Sequence, residues 1–138
     1  MERTLAIVKP DAVRRGFIGD ILKRIEASGL KLRALKLMHL TRAQAERFYE
    51  VHKERPFYGS LCDYMTSGPV VIAVLEGDNA ILRWRELMGA TDPKKANPGT
   101  IRKDFGIDVE QNAAHGSDAA ETAAREVAFY FSSLDIVS

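Results

Sequence analysis

The chain has 138 residues, 46% of them apolar and 28% charged, and 20 basic against 19 acidic side chains give a formal net charge of +1. These values are typical of one folded domain over residues 1–138, and they exclude the strongly basic surface of a dedicated nucleic-acid binder. The longest apolar run, Val70 to Leu75, is far below the ~20 residues of a membrane-spanning helix, so no membrane partner is expected. The single cysteine, Cys62, forms no internal disulfide and indicates a reducing, cytoplasmic location.

Strands and helices alternate in the first part of the chain. Residues 5–8 form an apolar run of strand length, which Pro10 ends because proline cannot donate a ladder hydrogen bond. Apolar residues at helical spacing over 18–25 predict a helix, and Gly29 supplies its left-handed stop. A second strand is expected over 30–37, where the apolar positions change parity and so indicate a β-bulge.

Two inserted helices are expected next. Thr41 with Gln44 forms a capping-box sequence for a helix that runs to about His52. A shorter helix is predicted over 57–65, after a break at Pro56. Both helices interrupt a simpler alternation of strands and helices.

The second half of the chain supplies two more strands and two more helices. Val70–Leu75 predicts a strand covered on both faces, and Asp78 is expected to cap a helix that ends at Gly89. After a long loop, Asn112–Gly116 predicts a last short strand, and a closing helix is expected from Ser117. Together these elements predict an α+β fold with a ferredoxin-like β-α-β-β-α-β core, an antiparallel sheet, inserted helices and a C-terminal helix.

His115 is the candidate nucleophile. It lies between the last strand and the closing helix, where the positive end of the helix dipole disfavours a charged ring, and a neutral imidazole nitrogen is nucleophilic. Ser117, Glu121 and Glu126 follow within three helical turns, and any of them would orient the second ring nitrogen. The alternative is a partly buried histidine that caps local backbone.

Four basic side chains, Lys9, Arg55, Arg85 and Arg102, occupy unusual positions for solvated charges. Lys9 ends the first strand, where ligands gather in α/β folds, Arg85 interrupts an apolar helical stripe, and the other two flank loops. Three or four such charges would hold a triphosphate, whereas any one of them alone is equally consistent with a surface salt bridge.

Three uncharged side chains have groups suited to a nucleotide. Phe57 offers a ring face to a nucleobase, although such a residue is more often part of a core. Tyr49 and Thr91 carry hydroxyls that would contact an imidazole or a phosphate, or cap local backbone instead.

Five sequence blocks, taken together, resemble the nucleoside diphosphate kinase family. They occur in the family's order over essentially the whole chain: Leu5-Ala6-Ile7-Val8-Lys9-Pro10-Asp11, His52-Lys53-Glu54-Arg55-Pro56-Phe57, Ser67-Gly68-Pro69-Val70-Val71, Gly89-Ala90-Thr91-Asp92-Pro93 and Asn112-x-x-His115-Gly116-Ser117-Asp118. The resemblance implies transfer of the γ-phosphoryl group from a nucleoside triphosphate such as ATP to a nucleoside diphosphate, which maintains triphosphate pools. It implies a ping-pong mechanism through a phosphohistidine, with Mg²⁺ held mainly by the nucleotide phosphates and not by protein ligands.

The resemblance also assigns roles to individual residues. His115 matches the nucleophile and Glu126 the glutamate that positions its ring, while Lys9 matches the lysine on the phosphate and the sugar 3′-hydroxyl. Asn112 matches the asparagine on the ribose. The remaining matches are a phosphate clamp of Arg85, Thr91 and Arg102, a base-stacking Phe57, and the hydroxyls of Tyr49 and Ser117 near the histidine; Arg55 is a further nucleotide-binding candidate.

The resemblance also bears on assembly and on selectivity for the base. The loop sequence from Pro98 to Arg102 and a short C-terminus favour a homohexamer over a tetramer. Base selectivity is expected to be poor, because stacking accepts any π face and nothing recognisable offers a fixed hydrogen-bond pattern to a base edge.

Two other functions are alternatives to the kinase. An RNA-binding module is suggested by Arg14-Arg15 and the turn Gly16 to Gly19, which loosely resembles a backbone-clamping GxxG loop, although the net charge offers little phosphate attraction. General acid–base hydrolysis by His115 with Glu126 would instead release inorganic phosphate without a diphosphate acceptor.

Overall fold

Four antiparallel strands form the centre of the molecule, which a computed structural model describes over all 138 residues. The strands are β1 (Glu2–Val8), β2 (Lys31–Met38), β3 (Val70–Gly77) and β4 (Ala114–Gly116), and their order across the sheet is β2-β3-β1-β4. Each neighbouring pair is antiparallel. The seven helices are α1 (Pro10–Arg14), α2 (Ile18–Ala27), α3 (Arg42–Phe48), α4 (Tyr58–Met65), α5 (Ala80–Met88), α6 (Ile101–Phe105) and α7 (Ala120–Tyr130).

The strand order confirms the predicted ferredoxin-like core. Helices α2 and α5 supply the two crossovers of the β-α-β-β-α-β pattern, α3 and α4 are the inserted helices, and α7 is the C-terminal helix. The β-bulge is also confirmed, because the pairing of β2 with β3 shifts register between Leu32 and Ala34. None of the helices has both the length and the apolar character needed to cross a membrane.

Alternate residues of the central strands divide the apolar core into two layers. On β1, Ala6 and Val8 pack in the layer that holds Trp84 of α5, while Leu5 and Ile7 pack in the layer that holds Tyr130 of α7. Successive side chains of a strand point to opposite faces, so both faces of the sheet are covered by helices. The predicted burial of the third strand on both faces is therefore correct.

Several predicted boundaries were wrong. The expected cap at Asp78 does not form, since Asn79 is the N-cap of α5 and adopts a left-handed conformation with φ of 53°. The closing helix begins at Ala120 and not at Ser117, because Ser117 is occupied by contacts with the sheet and α7. The first inserted helix ends at Phe48, and a 3₁₀ turn continues to His52.

Two short helices lie where no helix was predicted. Helix α1 starts at Pro10. Proline suits the first helical turn, because the backbone N–H that it lacks would have no partner there. Helix α6 lies inside the long loop, and the hydroxyl of Thr100 caps it by accepting from the Lys103 N–H. Both are five residues long, too short to show an apolar periodicity in sequence.

Gly116 allows the strand that carries His115 to lie against α5. A Cβ atom at Gly116 would lie 2.6 Å from Trp84 Cδ1 and 2.7 Å from Met88 Cε, both buried. We expect Gly116→Ala to lower the free energy of unfolding by about 1–3 kcal/mol, because the packed core must move to admit a methyl group. Urea denaturation followed by Trp84 fluorescence measures the change.

Gly19→Ala is the matched control for this substitution. A Cβ at Gly19 would meet nothing within 4 Å, and the residue lies in α2, so alanine should raise stability by about 0.5–1 kcal/mol. Equal effects of the two substitutions would contradict the proposed crowding at Gly116.

Candidate active site

The backbone of His115 is fixed by the sheet and by α5. His115 pairs with Ile7 of β1, and the indole Nε1–H of Trp84 donates to the His115 carbonyl at 3.1 Å. The imidazole has a side-chain exposure of 20%, and its edge faces the ring of Phe48 at 5.7 Å. The ring is therefore anchored on one side and open on another.

A carboxylate from α7 orients the imidazole. His115 Nε2 lies 3.1 Å from Glu126 Oε1, and the Ser117 hydroxyl donates to the same oxygen at 2.8 Å. Ser117 Oγ in turn accepts from the backbone N–H of Leu5 at 3.2 Å. Because an ionised carboxylate only accepts, Nε2 carries the ring proton and Nδ1 keeps a free lone pair.

Glu126 is ionised although it is largely buried. Burial by itself would raise the pKa of the Glu126 carboxyl, but the hydrogen bond and charge of His115 oppose burial, with help from Ser117 and Arg125. The balance lowers the pKa below its ordinary value. The carboxylate is thus ready to stabilise positive charge on the imidazole.

Two adjoining cavities meet beside His115. The smaller, about 130 Å³, is lined by the imidazole together with Tyr49, His52 and Glu126. The larger, about 650 Å³, is a polar cleft, and Asp118 lines both. The polar side chains of the larger cleft are Arg85, Glu86, Thr91, Lys95, Asn97, Thr100, Arg102, Ser117 and Asp118.

Arg102 brings a positive charge next to the histidine. Its guanidinium donates to the carbonyl of Gly89 at 3.0 Å and to the carbonyl of Ala114, the residue before His115, at 3.0 Å. Burial lowers the pKa of Arg102, and its Nε–H is buried without a hydrogen-bond partner. A buried donor without a partner beside a polar cleft is suited to an anionic ligand.

Contacts on the outer side of α6 hold Arg102 in place. Arg24 forms an ion pair with Asp104 at 2.8 Å and donates to the Gly99 carbonyl at 2.9 Å. The rings of Phe17 and Phe105 lie 4.7 Å apart. Helix α6 is therefore attached to α2 and to Phe17, the residue before α2.

Lys9, Asn112 and Thr91 form a hydrogen-bonded row, of which Thr91 lines the larger cleft. Lys9 Nζ donates to Asn112 Oδ1 at 2.8 Å and to the Glu110 carbonyl at 3.4 Å, and Asn112 Nδ2 donates to the Thr91 carbonyl at 3.1 Å. Burial and the nearby Arg102 lower the pKa of Lys9 to about 8, against the opposing effects of Asp11, Glu110 and Asp108. A much larger fraction of Lys9 is therefore neutral near pH 8 than of an ordinary lysine.

A strained turn links Asn112 to the strand of His115. Ala113 has a φ of 75°, and the Ala114 N–H donates to the Asn112 carbonyl at 3.0 Å, which closes a three-residue γ-turn. This turn is rare for a residue other than glycine and costs of order 1–3 kcal/mol. The Ala113 carbonyl accepts from the Lys9 N–H at 2.9 Å, so the turn places Lys9 beside the strand end.

The remaining candidates lie around this centre. Arg85 reaches from α5 and donates to the Asp118 carbonyl at 3.1 Å. The Tyr49 hydroxyl is buried without a partner, and burial raises its pKa. Phe57 and Arg55 are exposed and do not line the larger cleft; the Phe57 ring lies 5.4 Å from the ring of His52.

Three residues without a role in the sequence analysis contact or line the site. Trp84 fixes the His115 carbonyl, and Asp118 and Glu86 put carboxylates into the cleft. Asp118 belongs to the block around His115, and Trp84 and Glu86 flank the candidate Arg85, but the sequence does not show which of these neighbours reach the site. Arg15, one of the arginines behind the RNA-binding alternative, is occupied by the Asp11 carboxylate at 3.1 Å and the Phe105 carbonyl.

An oriented histidine beside a cationic cleft is the arrangement expected of an enzyme that transfers phosphoryl groups. The family model for nucleoside diphosphate kinase matches residues 2–136. The chain is 61% identical over 136 residues to the nucleoside diphosphate kinase of Desulfatibacillum aliphaticivorans, with 99% of each chain covered. It is 62% identical over 138 residues to the nucleoside diphosphate kinase of Delftia acidovorans, and the alignment covers 100% of this chain and 98% of the relative.

Solved structures give the same result. The nucleoside diphosphate kinase of Aquifex aeolicus superposes with a TM-score of 0.96 at 50% identity, over 99% of both chains. The halophilic nucleoside diphosphate kinase of Halobacterium salinarum, solved in complex with CDP, superposes with a TM-score of 0.95 at 45% identity, over 99% of this chain and 91% of that one. The chain therefore belongs to the nucleoside diphosphate kinase family and is a phosphotransferase.

The lowered pKa of Lys9 gives a testable pH dependence. A lysine that binds phosphate must be protonated, so we expect kcat/KM for the nucleotide to fall as pH rises above about 8. In Lys9→Arg the falling limb should move to higher pH, because arginine stays charged. Lys103→Arg, which changes an exposed lysine of α6, is the control; a limb that stays in place in Lys9→Arg would assign the titration to another group.

Proposed function

We propose that this enzyme transfers the γ-phosphoryl group of a nucleoside triphosphate such as ATP to a nucleoside diphosphate, with His115 as the intermediate carrier. One observation carries the proposal: Glu126 holds the proton-bearing Nε2 of His115 and leaves Nδ1 free, and the small cavity that the imidazole lines adjoins a cleft of unpaired cations at Asp118. The family assignment supports the same reaction.

In the first half-reaction, His115 Nδ1 attacks the γ-phosphorus. The bond from phosphorus to the bridging oxygen breaks, and the nucleoside diphosphate leaves with that electron pair. The imidazole keeps its proton on Nε2 and gains positive charge, which the Glu126 carboxylate balances at 3.1 Å. In the second half-reaction, a terminal oxygen of another nucleoside diphosphate attacks the phosphorus of the phosphohistidine. The bond from phosphorus to Nδ1 breaks, and Nδ1 regains its lone pair.

Cationic side chains around the phosphates supply most of the catalysis. Phosphoryl transfer depends chiefly on positioning and charge stabilisation, and Arg85, Arg102 and the Thr91 hydroxyl form the proposed clamp. At an effective dielectric constant near 20, a cation about 4 Å from a phosphate contributes about 4 kcal/mol before desolvation. With Lys9, which also contacts phosphate in this proposal, Arg85 and Arg102 supply three such contacts to the triphosphate.

The nucleoside lies outside the phosphate cleft in this proposal. Lys9 and Asn112, joined at 2.8 Å, contact the ribose hydroxyls, and Lys9 also contacts phosphate. The exposed ring of Phe57 stacks on the base, with Arg55 two residues away. The CDP complex of the Halobacterium salinarum relative supports a nucleotide as the ligand.

We propose Mg²⁺ as the cofactor, carried mainly by the nucleotide phosphates. No group of three or more histidine, cysteine, aspartate or glutamate side chains is placed to hold a metal ion. Asp118 and Glu86 line the cleft, and one or two carboxylates with phosphates and water suit the coordination of Mg²⁺. When bound, Mg²⁺ neutralises charge on the phosphates.

The assembly and setting of the enzyme are part of the proposal. One domain carries the activity, and the loop from Pro98 to Arg102 favours a homohexamer over a tetramer. Light scattering tests this directly, as a hexamer has six times the protomer mass of 15.4 kDa. The free, buried thiol of Cys62 supports a cytoplasmic location.

His115→Ala tests the carrier. Wild-type protein incubated with γ-labelled ATP should hold acid-labile, base-stable phosphate, and the variant should hold none and transfer phosphate to GDP about 10⁴-fold more slowly or worse. His39→Ala is the control, since His39 is exposed and contacts only the Thr66 carbonyl at 2.8 Å. Label that persists in His115→Ala would identify another acceptor, and phosphate release without GDP would support the hydrolase.

Glu126→Gln tests the orienting carboxylate. The substitution keeps the shape but removes the charge that balances the imidazolium, so the phosphorylation rate should fall roughly 10- to 100-fold with little change in KM for ATP. Glu121→Gln removes a charge from the exposed first turn of α7 and should leave the rate unchanged. Rapid-quench measurement of phosphoenzyme formation separates the two, and equal rates in both variants would contradict the role of Glu126.

A further inference from the structure

Contacts with Asp108, Lys9 and Ser60 hold Glu110, in the loop between α6 and β4, at its backbone and at its carboxylate. The Glu110 N–H donates to Asp108 Oδ1 at 3.1 Å, and the Glu110 carbonyl accepts from Lys9 Nζ at 3.4 Å. The Ser60 hydroxyl donates to Glu110 Oε2 at 2.9 Å. The loop is further fixed by the Gln111 N–H, which donates to Asp108 Oδ1 at 2.7 Å. Glu110 is therefore held in one position, although it lies in a loop.

Ser60 brings this carboxylate close to Phe57. The backbone between these two residues is helical, because Phe57 has φ of −82° and ψ of −4° and its carbonyl accepts from the Leu61 N–H at 2.8 Å. Residues three apart on a helix share a face. The carboxylate bonded to Ser60 thus lies on the side of α4 that also carries the Phe57 ring, which is 46% exposed.

We propose that Glu110 is a specificity-determining residue that favours guanine among the bases. This inference rests on the proposed function, in which Phe57 stacks on the base. Glu110 lies between Lys9, assigned to the sugar and phosphate, and Ser60, on the face of Phe57. A base stacked on Phe57 therefore turns an edge toward the Glu110 carboxylate.

The chemistry of the base edges selects guanine. Glu110 Oε1 has no hydrogen-bond partner, and Oε2 keeps a lone pair beside the one that Ser60 uses. Guanine offers two adjacent donors, the N1–H and the 2-amino group, which fit the two oxygens of a carboxylate. Adenine and cytosine place a ring acceptor beside the amino group, and uracil flanks its single donor with two carbonyls, so each meets the carboxylate with a repulsive contact.

The comparison of GDP with IDP tests the inference, because IDP differs only by the missing 2-amino group. With ATP as donor, wild-type kcat/KM should be about three- to tenfold higher for GDP, the range of one partly exposed hydrogen bond. In Glu110→Ala the ratio should fall to about 1, mainly through a loss with GDP. Glu54→Ala removes an exposed charge three residues before Phe57 and should keep the wild-type ratio.

Two results would overturn the assignment. A wild-type ratio near 1 means that Glu110 does not distinguish the 2-amino group. A ratio that Glu110→Ala leaves unchanged means that Glu110 does not contact the base, and equal losses with both nucleotides would show that it only ties the loop to α4. Calorimetric Kd values for GDP and IDP give the same ratio without turnover, so a protein that binds GDP preferentially but transfers no phosphate would reject the proposed reaction and retain this inference.

Discussion

The hydrogen bond between His115 Nε2 and Glu126 Oε1 is the contact on which the rest of the site depends. It puts the ring proton on one nitrogen and leaves the other free to act as the proposed nucleophile. Ser117 links the same carboxylate oxygen to the Leu5 N–H of β1, so helix α7 is attached to the sheet at the point where the imidazole is held. Orientation of the nucleophile and packing of the C-terminal helix therefore share one set of contacts.

The cations of the cleft are held by neutral groups. Arg102 donates to two backbone carbonyls, Arg85 to one, and Lys9 to an amide oxygen and a carbonyl. Several other arginines pair with carboxylates, as Arg3 does with Glu76 at 2.7 Å and Arg24 with Asp104, although Arg83 also donates only to backbone carbonyls. Neutral partners fix the position of a charge without cancelling it, so the full positive charge remains for phosphates. With only neutral hydrogen-bond partners, Lys9 keeps a pKa that burial and the nearby Arg102 have lowered.

The sequence predicted the fold well where a local pattern determines the structure. The alternating parity of β2, the capping box at Thr41 and the stop at Gly29 each depend on neighbouring residues, and each is present. Sequence spacing left Ser117, Glu121 and Glu126 open as partners of His115, because the phase of a helix depends on where it starts. The contacts of Ser117 with Leu5 and Glu126 move the start of the helix to Ala120. With that start, Glu126 faces the imidazole and Glu121 is exposed.

The proposed sites for the phosphates and for the base are surfaces of different kinds, which predicts a broad substrate range with a graded preference. The proposed phosphate cleft is lined by Arg85, Lys95 and the partly buried Arg102, whose attraction for phosphates does not depend on the base. The base meets an exposed ring and a single carboxylate, whose link from Ser60 to Glu110 spans 50 positions and is invisible in sequence. Because water competes at such an exposed contact, Glu110 alters the order of preference among nucleotides but cannot exclude any of them.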